Sequence, residues 1–206
     1  WADCWADNAG IQGVIEKVKD DVAELLEPST KYLVKKRLRP DLLTMFGFAL
    51  NLGAAVLFGL GYLRWGGIAV LMAGIFDFFD GQVARAGRTA SPFGALLDST
   101  VDRYSEIFVW FGLVVTFIRS GSLLTSSAIF FALAGSLMVS YVRARAEGLG
   151  EECKVGFMQR PERVIAIGVG ALIGEVGITV AVWVIAVLSN VTAFHRVLHF
   201  RKQSNP

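Results

Sequence analysis

The chain has 206 residues, 54% of them apolar and 18% charged, where soluble domains average about 45–50% and about 25%; mean hydropathy is +0.53. These figures exclude an ordinary soluble domain, and a net charge of only +2 without one basic face excludes a nucleic-acid partner. Cys4 and Cys153 lie far apart with no Cys/His cluster, which excludes a zinc site and implies no disulfide.

Taken in chain order, residues 1–10 carry no periodicity. Ile11, Val14, Ile15, Val18, Val22, Leu25 and Leu26 then recur at helical spacing between Glu16, Lys17, Lys19, Asp20, Asp21 and Glu24. That pattern predicts an amphipathic helix on the membrane surface, with a helix packed on a soluble partner as the alternative. Nothing at the N-terminus has the basic-then-apolar layout of a secretory signal, so insertion is expected to rely on the first internal span.

Apolar runs long enough to cross a hydrocarbon core predict spans near 42–63, 67–86, 93–118, 123–145, 162–176 and 178–199; the fifth is short and Gly-rich. The expected fold is therefore all-α, a polytopic membrane protein of six transmembrane helices. Its parts are a juxtamembrane segment over 1–40, a helical domain over 41–200 and a tail over 201–206. Lys31, Lys35, Lys36, Arg37, Arg39, Arg85, Arg88, Arg143, Arg145, Lys154, Arg160, Arg163, Arg196, Arg201 and Lys202 all fall on one set of connections. Only Arg64 and Arg119 fall on the other. The positive-inside rule then puts both termini on the cytoplasmic side of the cell membrane.

Ionisable groups inside spans are costly and mark function. The second span ends FDFFDGQVARAG, with Asp77 and Asp80 three apart and Gly81 and Ala84 beside them. The third begins FGALLDSTVDR, with Gly94, Asp98 and Asp102 four apart on one face. If the two helices pack antiparallel across the short turn, four carboxylates converge near the cytoplasmic surface. Such a cluster suits a hard divalent cation held through oxygen, Mg²⁺ above all; the competing reading is structural pairing with Arg85, Arg88 and Arg103.

Asp77-x-x-Asp80-Gly81-x-x-Ala84-Arg85, then eight residues, Gly94, three residues, Asp98, three residues and Asp102 resembles the signature of the CDP-alcohol phosphotransferase family at every fixed position. The resemblance spans about residues 40–200. It implies a homodimer that transfers a phosphatidyl group from CDP-diacylglycerol or a related CDP-lipid to an alcohol, with release of CMP. It also implies metal ligands at Asp77, Asp80, Asp98 and Asp102, with Asp102 as the general base. Gly81, Ala84, Arg85 and Gly94 match positions lining the CDP-lipid site. Pro40-Asp41-x-x-Thr44 resembles a further family motif and makes Asp41 and Thr44 nucleotide-site candidates; a helix N-cap is the alternative for Asp41. Two metal ions, Mg²⁺ with Mn²⁺ as a substitute, would neutralise the pyrophosphate oxygens.

The acceptor is read from YVRARAEGLGEECKVGFMQRPERV. Arg143, Arg163 and Arg196 sit in apolar helical segments near the membrane boundary, where guanidinium forks suit a phosphate. Arg143-Ala144-Arg145-Ala146-Glu147 and Arg160-Pro161-Glu162-Arg163 resemble the prokaryotic inositol-phosphate branch of the family, including its archaeal relatives. The expected acceptor is a phosphorylated alcohol, inositol phosphate first and glycerol 3-phosphate second. Glu106, three residues beyond Arg103, is expected to pair with it. A cation transporter with an acidic site is the competing class; it would place acids at mid-membrane, not near helix ends.

Overall fold

The computed structural model describes residues 40–87, 91–153 and 155–204. The expected amphipathic helix over 11–26 and the basic stretch before Pro40 lie outside these residues. The described chain is all-helical: α1 Pro40–Gly59, α2 Leu63–Ala86, α3 Pro92–Arg119, α4 Leu123–Glu147, α5 Arg160–Ile173 and α6 Glu175–Ser204. Turns with a left-handed glycine, Gly61 and Gly121, join α1 to α2 and α3 to α4, a conformation glycine adopts without a Cβ clash.

Four helices are long and apolar enough to cross a membrane, over Asp41–Gly59, Leu63–Val83, Leu123–Glu147 and Glu175–Gln203. Two of the six expected spans do not meet that standard. The 28 residues of α3 carry Asp98, Asp102, Arg103 and Glu106 between its start and its middle, and α5 has only 14 residues.

The helices run alternately up and down. At one end, Arg119 at the close of α3 donates from Nη1 to Gly59 O at the close of α1, 2.8 Å away. The hydroxyl of Thr116 likewise donates to Phe58 O, which also accepts from Gly61 N, so carbonyls at the end of α1 find partners beyond their own helix. At the other end the starts of α3 and α5 meet the ends of α2, α4 and α6. Small residues bring the backbones close, as is usual between helices in lipid. A Cβ at Gly112 on α3 would collide with the Ala55 backbone of α1, and one at Gly135 on α4 would stand 2.9 Å from Asn190 N of α6. Phe58, Trp110, Leu113, Phe117, Ile129, Ile178, Val182 and Ile185 fill the interior. Large apolar side chains such as Phe111, Leu123, Phe130 and Val176 point outward, the inverse of a soluble bundle and the pattern lipid requires.

The condition of direct antiparallel packing between the two acid-bearing helices is not met. α2 and α3 do not lie against each other along their lengths; α1 packs on both, and α2 packs on α5. The reason is local: α1 offers small residues on two faces, Gly47 towards α2 and Ala55 towards Gly112 of α3.

Candidate active site

The acid-bearing end of α2 is built against α1. Thr44 donates from Oγ1 to Asp80 Oδ2 at 2.8 Å, and both residues are buried. One turn further along α1, Gly47 leaves room for Asp77: a Cβ there would stand 2.7 Å from Asp77 Oδ1. Thr44 and Gly47, three apart, thus face Asp80 and Asp77, three apart on an opposed helix, and each i,i+3 pair shares a face. Gly81 follows directly and is half-buried.

The matching acids arrive at the start of α3. Ser91 caps that helix by accepting from Gly94 N at 2.9 Å, with Pro92 as its first residue, a favoured opening turn. Asp98 and Asp102 follow one and two turns later, and Asp102 is buried. Asp77 and Asp98 come close enough to Asp80 and to Asp102 for their charges to act on both. The four carboxylates therefore converge as expected, although through α1 and α5 and not through a direct α2–α3 seam.

A cation expected as a topological charge and as part of the Arg160-Pro161-Glu162-Arg163 segment stands among them. Arg160, first residue of α5, places Nη2 2.6 Å from Asp77 Oδ2 and 2.6 Å from Asp102 Oδ1. The contact to Asp77 is an aligned hydrogen bond. Asp102 Oδ1, buried, is in ionic contact but has no hydrogen-bond partner. Arg103 reaches Asp102 Oδ2 only at 3.6 Å. Among the described residues no three acidic, His or Cys side chains form a metal-holding group as they stand, consistent with a guanidinium lying between two of the acids. Their all-oxygen donor set, with one carboxylate oxygen lacking a hydrogen bond, nevertheless fits a hard divalent cation.

A second polar cluster lies behind the first. Arg163 donates from Nε to Glu106 Oε1 at 2.7 Å, from Nη2 to Glu106 Oε2 at 3.0 Å, and from Nη1 to Met158 O at 3.2 Å. Glu106 therefore pairs with Arg163 and not with Arg103, because Glu106 faces α5 while Arg103 turns towards Asp102. Arg196 on α6 is buried and donates to Val155 O and Val139 O, at 2.8 and 2.6 Å. Arg143 bonds Glu147 at 2.8 Å on the partly exposed end of α4. The charges of Arg143, Arg163 and Glu147 all act on Arg196, so three arginines from three helices gather here. A cavity of about 30 Å³ joins the clusters, lined by Asn51, Asp77, Asp102, Glu106, Arg160 and Arg163 among others; it is large enough for a water molecule.

The remaining candidates sit at the rim. Asp41 in the first turn of α1 is exposed, and a Cβ at Gly94 would stand 3.8 Å from its Oδ1, so the two nucleotide-site candidates from α1 and α3 adjoin. The side chains of Ala84 and Arg85 lie outside the described residues. Gly47 and Asn51 are not singled out by the sequence; Arg160 is, as a topological charge and in the Arg160-Pro161-Glu162-Arg163 segment, but not as a partner of the aspartates. Cys153 is fully buried, its Sγ 3.9 Å from Arg196 O, and burial raises its thiol pKa.

The model of the CDP-alcohol phosphatidyltransferase family matches residues 37–195. Over 186 residues the chain is 38% identical to a phosphatidylinositol phosphate synthase of Mycobacteroides abscessus, covering 87% of this chain and 84% of that one. It is 35% identical over 191 residues to an archaetidylinositol phosphate synthase of Pyrococcus horikoshii, covering 92% and 98%. The crystal structure of Mycobacterium tuberculosis phosphatidylinositol phosphate synthase with CDP-DAG bound is similar with a TM-score of 0.77 at 32% identity, over 86% of this chain and 94% of that one. The same enzyme in complex with manganese and citrate is similar with a TM-score of 0.73.

Proposed function

This chain belongs to the CDP-alcohol phosphatidyltransferase family, and we propose that it joins a CDP-linked lipid to inositol phosphate, forming phosphatidylinositol phosphate or its archaeal ether counterpart and releasing CMP. The observation that carries this reading is the convergence of Asp77, Asp80, Asp98 and Asp102 beside the arginines of α5. The relatives named for inositol phosphate products support the choice of acceptor.

In this reading the four aspartates hold divalent cations, Mg²⁺ or Mn²⁺, two in number. Such ions neutralise charge on the pyrophosphate and on departing CMP. The chain's own residues do the rest. Thr44 fixes the Asp80 carboxylate, and Gly47 leaves Asp77 unobstructed. Asp41, Gly81, Ala84, Arg85 and Gly94 line the CDP-lipid site, where the glycines let a ligand approach the backbone. Asp102 takes the proton from the acceptor hydroxyl as that oxygen attacks the lipid-linked phosphorus, a role that needs hydrogen-bond reach. Arg143, Arg163 and Arg196 receive the acceptor phosphate, and Glu106 holds the Arg163 guanidinium in plane.

All six helices cross the membrane in this reading, α3 and α5 shielding their charges inside the bundle. Residues 41–200 form the catalytic unit, and residues 1–40 and 201–206 flank it on the cytoplasmic side of the cell membrane. The family resemblance makes the working unit a homodimer, which light scattering of the detergent-solubilised protein tests.

The deciding experiment measures CMP release from CDP-diacylglycerol with Mg²⁺, comparing inositol phosphate, glycerol 3-phosphate, free inositol and serine. Inositol phosphate is expected to be preferred. Each charge-assisted bond to the phosphate contributes about 1.5–3 kcal/mol, so free inositol is expected to react far less. Preference for glycerol 3-phosphate would overturn the acceptor assignment and leave the chemistry standing.

A further inference from the structure

Arg160 and Arg163, one turn apart at the start of α5, each grip a carboxylate on α3: Asp102 and Glu106, four apart. The two contacts differ. Arg163 is almost wholly buried, bonds both oxygens of Glu106 and anchors to the Met158 carbonyl as well. Arg160 is a quarter exposed, and a single nitrogen, Nη2, stands 2.6 Å from both Asp77 and Asp102. One guanidinium nitrogen serving two carboxylates from different helices is what a positive ion placed between them would do. It satisfies Asp77 with an aligned bond but leaves Asp102 Oδ1 without one.

We propose that Arg160 is an internal counter-ion that closes the space between Asp77 and Asp102 until a divalent cation arrives, and that it withdraws when the cation binds. This rests on the reading of those aspartates as metal ligands. The physical ground is charge. Buried carboxylates repel strongly at low dielectric, and a cation placed between them relieves that repulsion in a site without metal. Arg160 supplies it from a helix terminus, where one turn can shift while the buried Arg163–Glu106 pair holds α5 in place. A long side chain already part-exposed can leave without carrying its helix with it. Metal binding and Arg160 contact would then be linked reciprocally, each weakening the other.

The test is Mn²⁺ binding to the purified full chain in detergent, followed by electron paramagnetic resonance, for wild type, Arg160→Gln and Arg160→Lys. Loss of the competing guanidinium is expected to tighten Mn²⁺ binding by at least about fivefold in Arg160→Gln. The lysine variant, which keeps the charge without the fork, is expected to fall between. Separately, Mn²⁺ is expected to increase labelling of wild-type Arg160 by phenylglyoxal, read by mass spectrometry; this needs no variant to fold. A permanent structural brace gives the opposite pattern: weaker Mn²⁺ binding in Arg160→Gln, or Arg160 no more reactive with metal than without. Either result overturns the proposal while leaving the metal site standing. Wild type that binds no Mn²⁺, or binds it equally after Asp77→Asn, overturns the metal reading itself.

Discussion

Glu106 and Arg163, 57 positions apart, meet fork to fork in the interior, with Nε–Oε1 at 2.7 Å and Nη2–Oε2 at 3.0 Å. This bidentate pair bolts α5 to α3 directly behind Asp102, and it fixes the plane of an arginine proposed to meet the acceptor phosphate. Replacing Glu106 by Gln leaves a buried guanidinium without its counter-charge. Breaking such a pair costs about 3–5 kcal/mol, so a fall of roughly 6–20 °C in the thermal midpoint is expected. At temperatures where the variant remains folded, KM for inositol phosphate should rise more than KM for the CDP-lipid. An unchanged midpoint would show that the pair carries no structural weight.

Asp102→Asn tests the base. Removing it is expected to lower the rate of CMP release by about 10²–10⁴-fold. The fold should survive, because Arg160 keeps its aligned bond to Asp77 and one repelling carboxylate has gone. CDP-lipid binding, measured by equilibrium binding to the detergent-solubilised variant, should change little. Turnover near that of wild type would remove Asp102 from the role.

Thr44→Val removes the hydroxyl that holds Asp80 and keeps its volume. A hydrogen bond to a charged group contributes about 1.5–3 kcal/mol. The Mg²⁺ concentration for half-maximal activity is therefore expected to rise on the order of tenfold or more, while the saturated rate falls less. A titration that matched wild type would show that Asp80 is oriented without Thr44.

Gly112→Val probes the crossing of α1 and α3, where any Cβ meets the Ala55 backbone. Overpacking of this kind costs about 1–3 kcal/mol. The thermal midpoint should drop, and activity should fall with it, because the same crossing sets where Asp98 and Asp102 stand relative to Thr44. A variant as stable as wild type would place the two helices further apart than described.

Sidedness is tested by introduced cysteines in a Cys4→Ser background that keeps Cys153. Cys153 is expected to be silent, because it is buried and its thiol pKa is raised. Leu149→Cys, on the exposed turn after α4, and Ser120→Cys, on the exposed turn after α3, should label from opposite faces of sealed vesicles. Labelling of both from one face would break the six-crossing arrangement.

The sequence alone determined the helical class, the positions of the described helices to within a few residues, and the face that each pair of aspartates shares. Each of these follows from short-range pattern. Apolar run length selects helices, and the spacing of Asp77, Asp80, Asp98 and Asp102 puts each pair on one face whatever the fold does elsewhere. What the sequence could not decide is which helices touch. A short α2–α3 connection allows direct packing of its neighbours, yet Gly47 and Ala55 let α1 take that place. Partner choice among charges was equally closed to it, since Arg103 and Arg163 offer Glu106 the same chemistry at different separations in the chain. Only the tertiary structure turns Arg163 towards Glu106, brings Arg160 between Asp77 and Asp102, and buries Cys153 under Arg196. Those outcomes depend on the direction in which each side chain leaves its helix once six helices have packed, which no local pattern encodes.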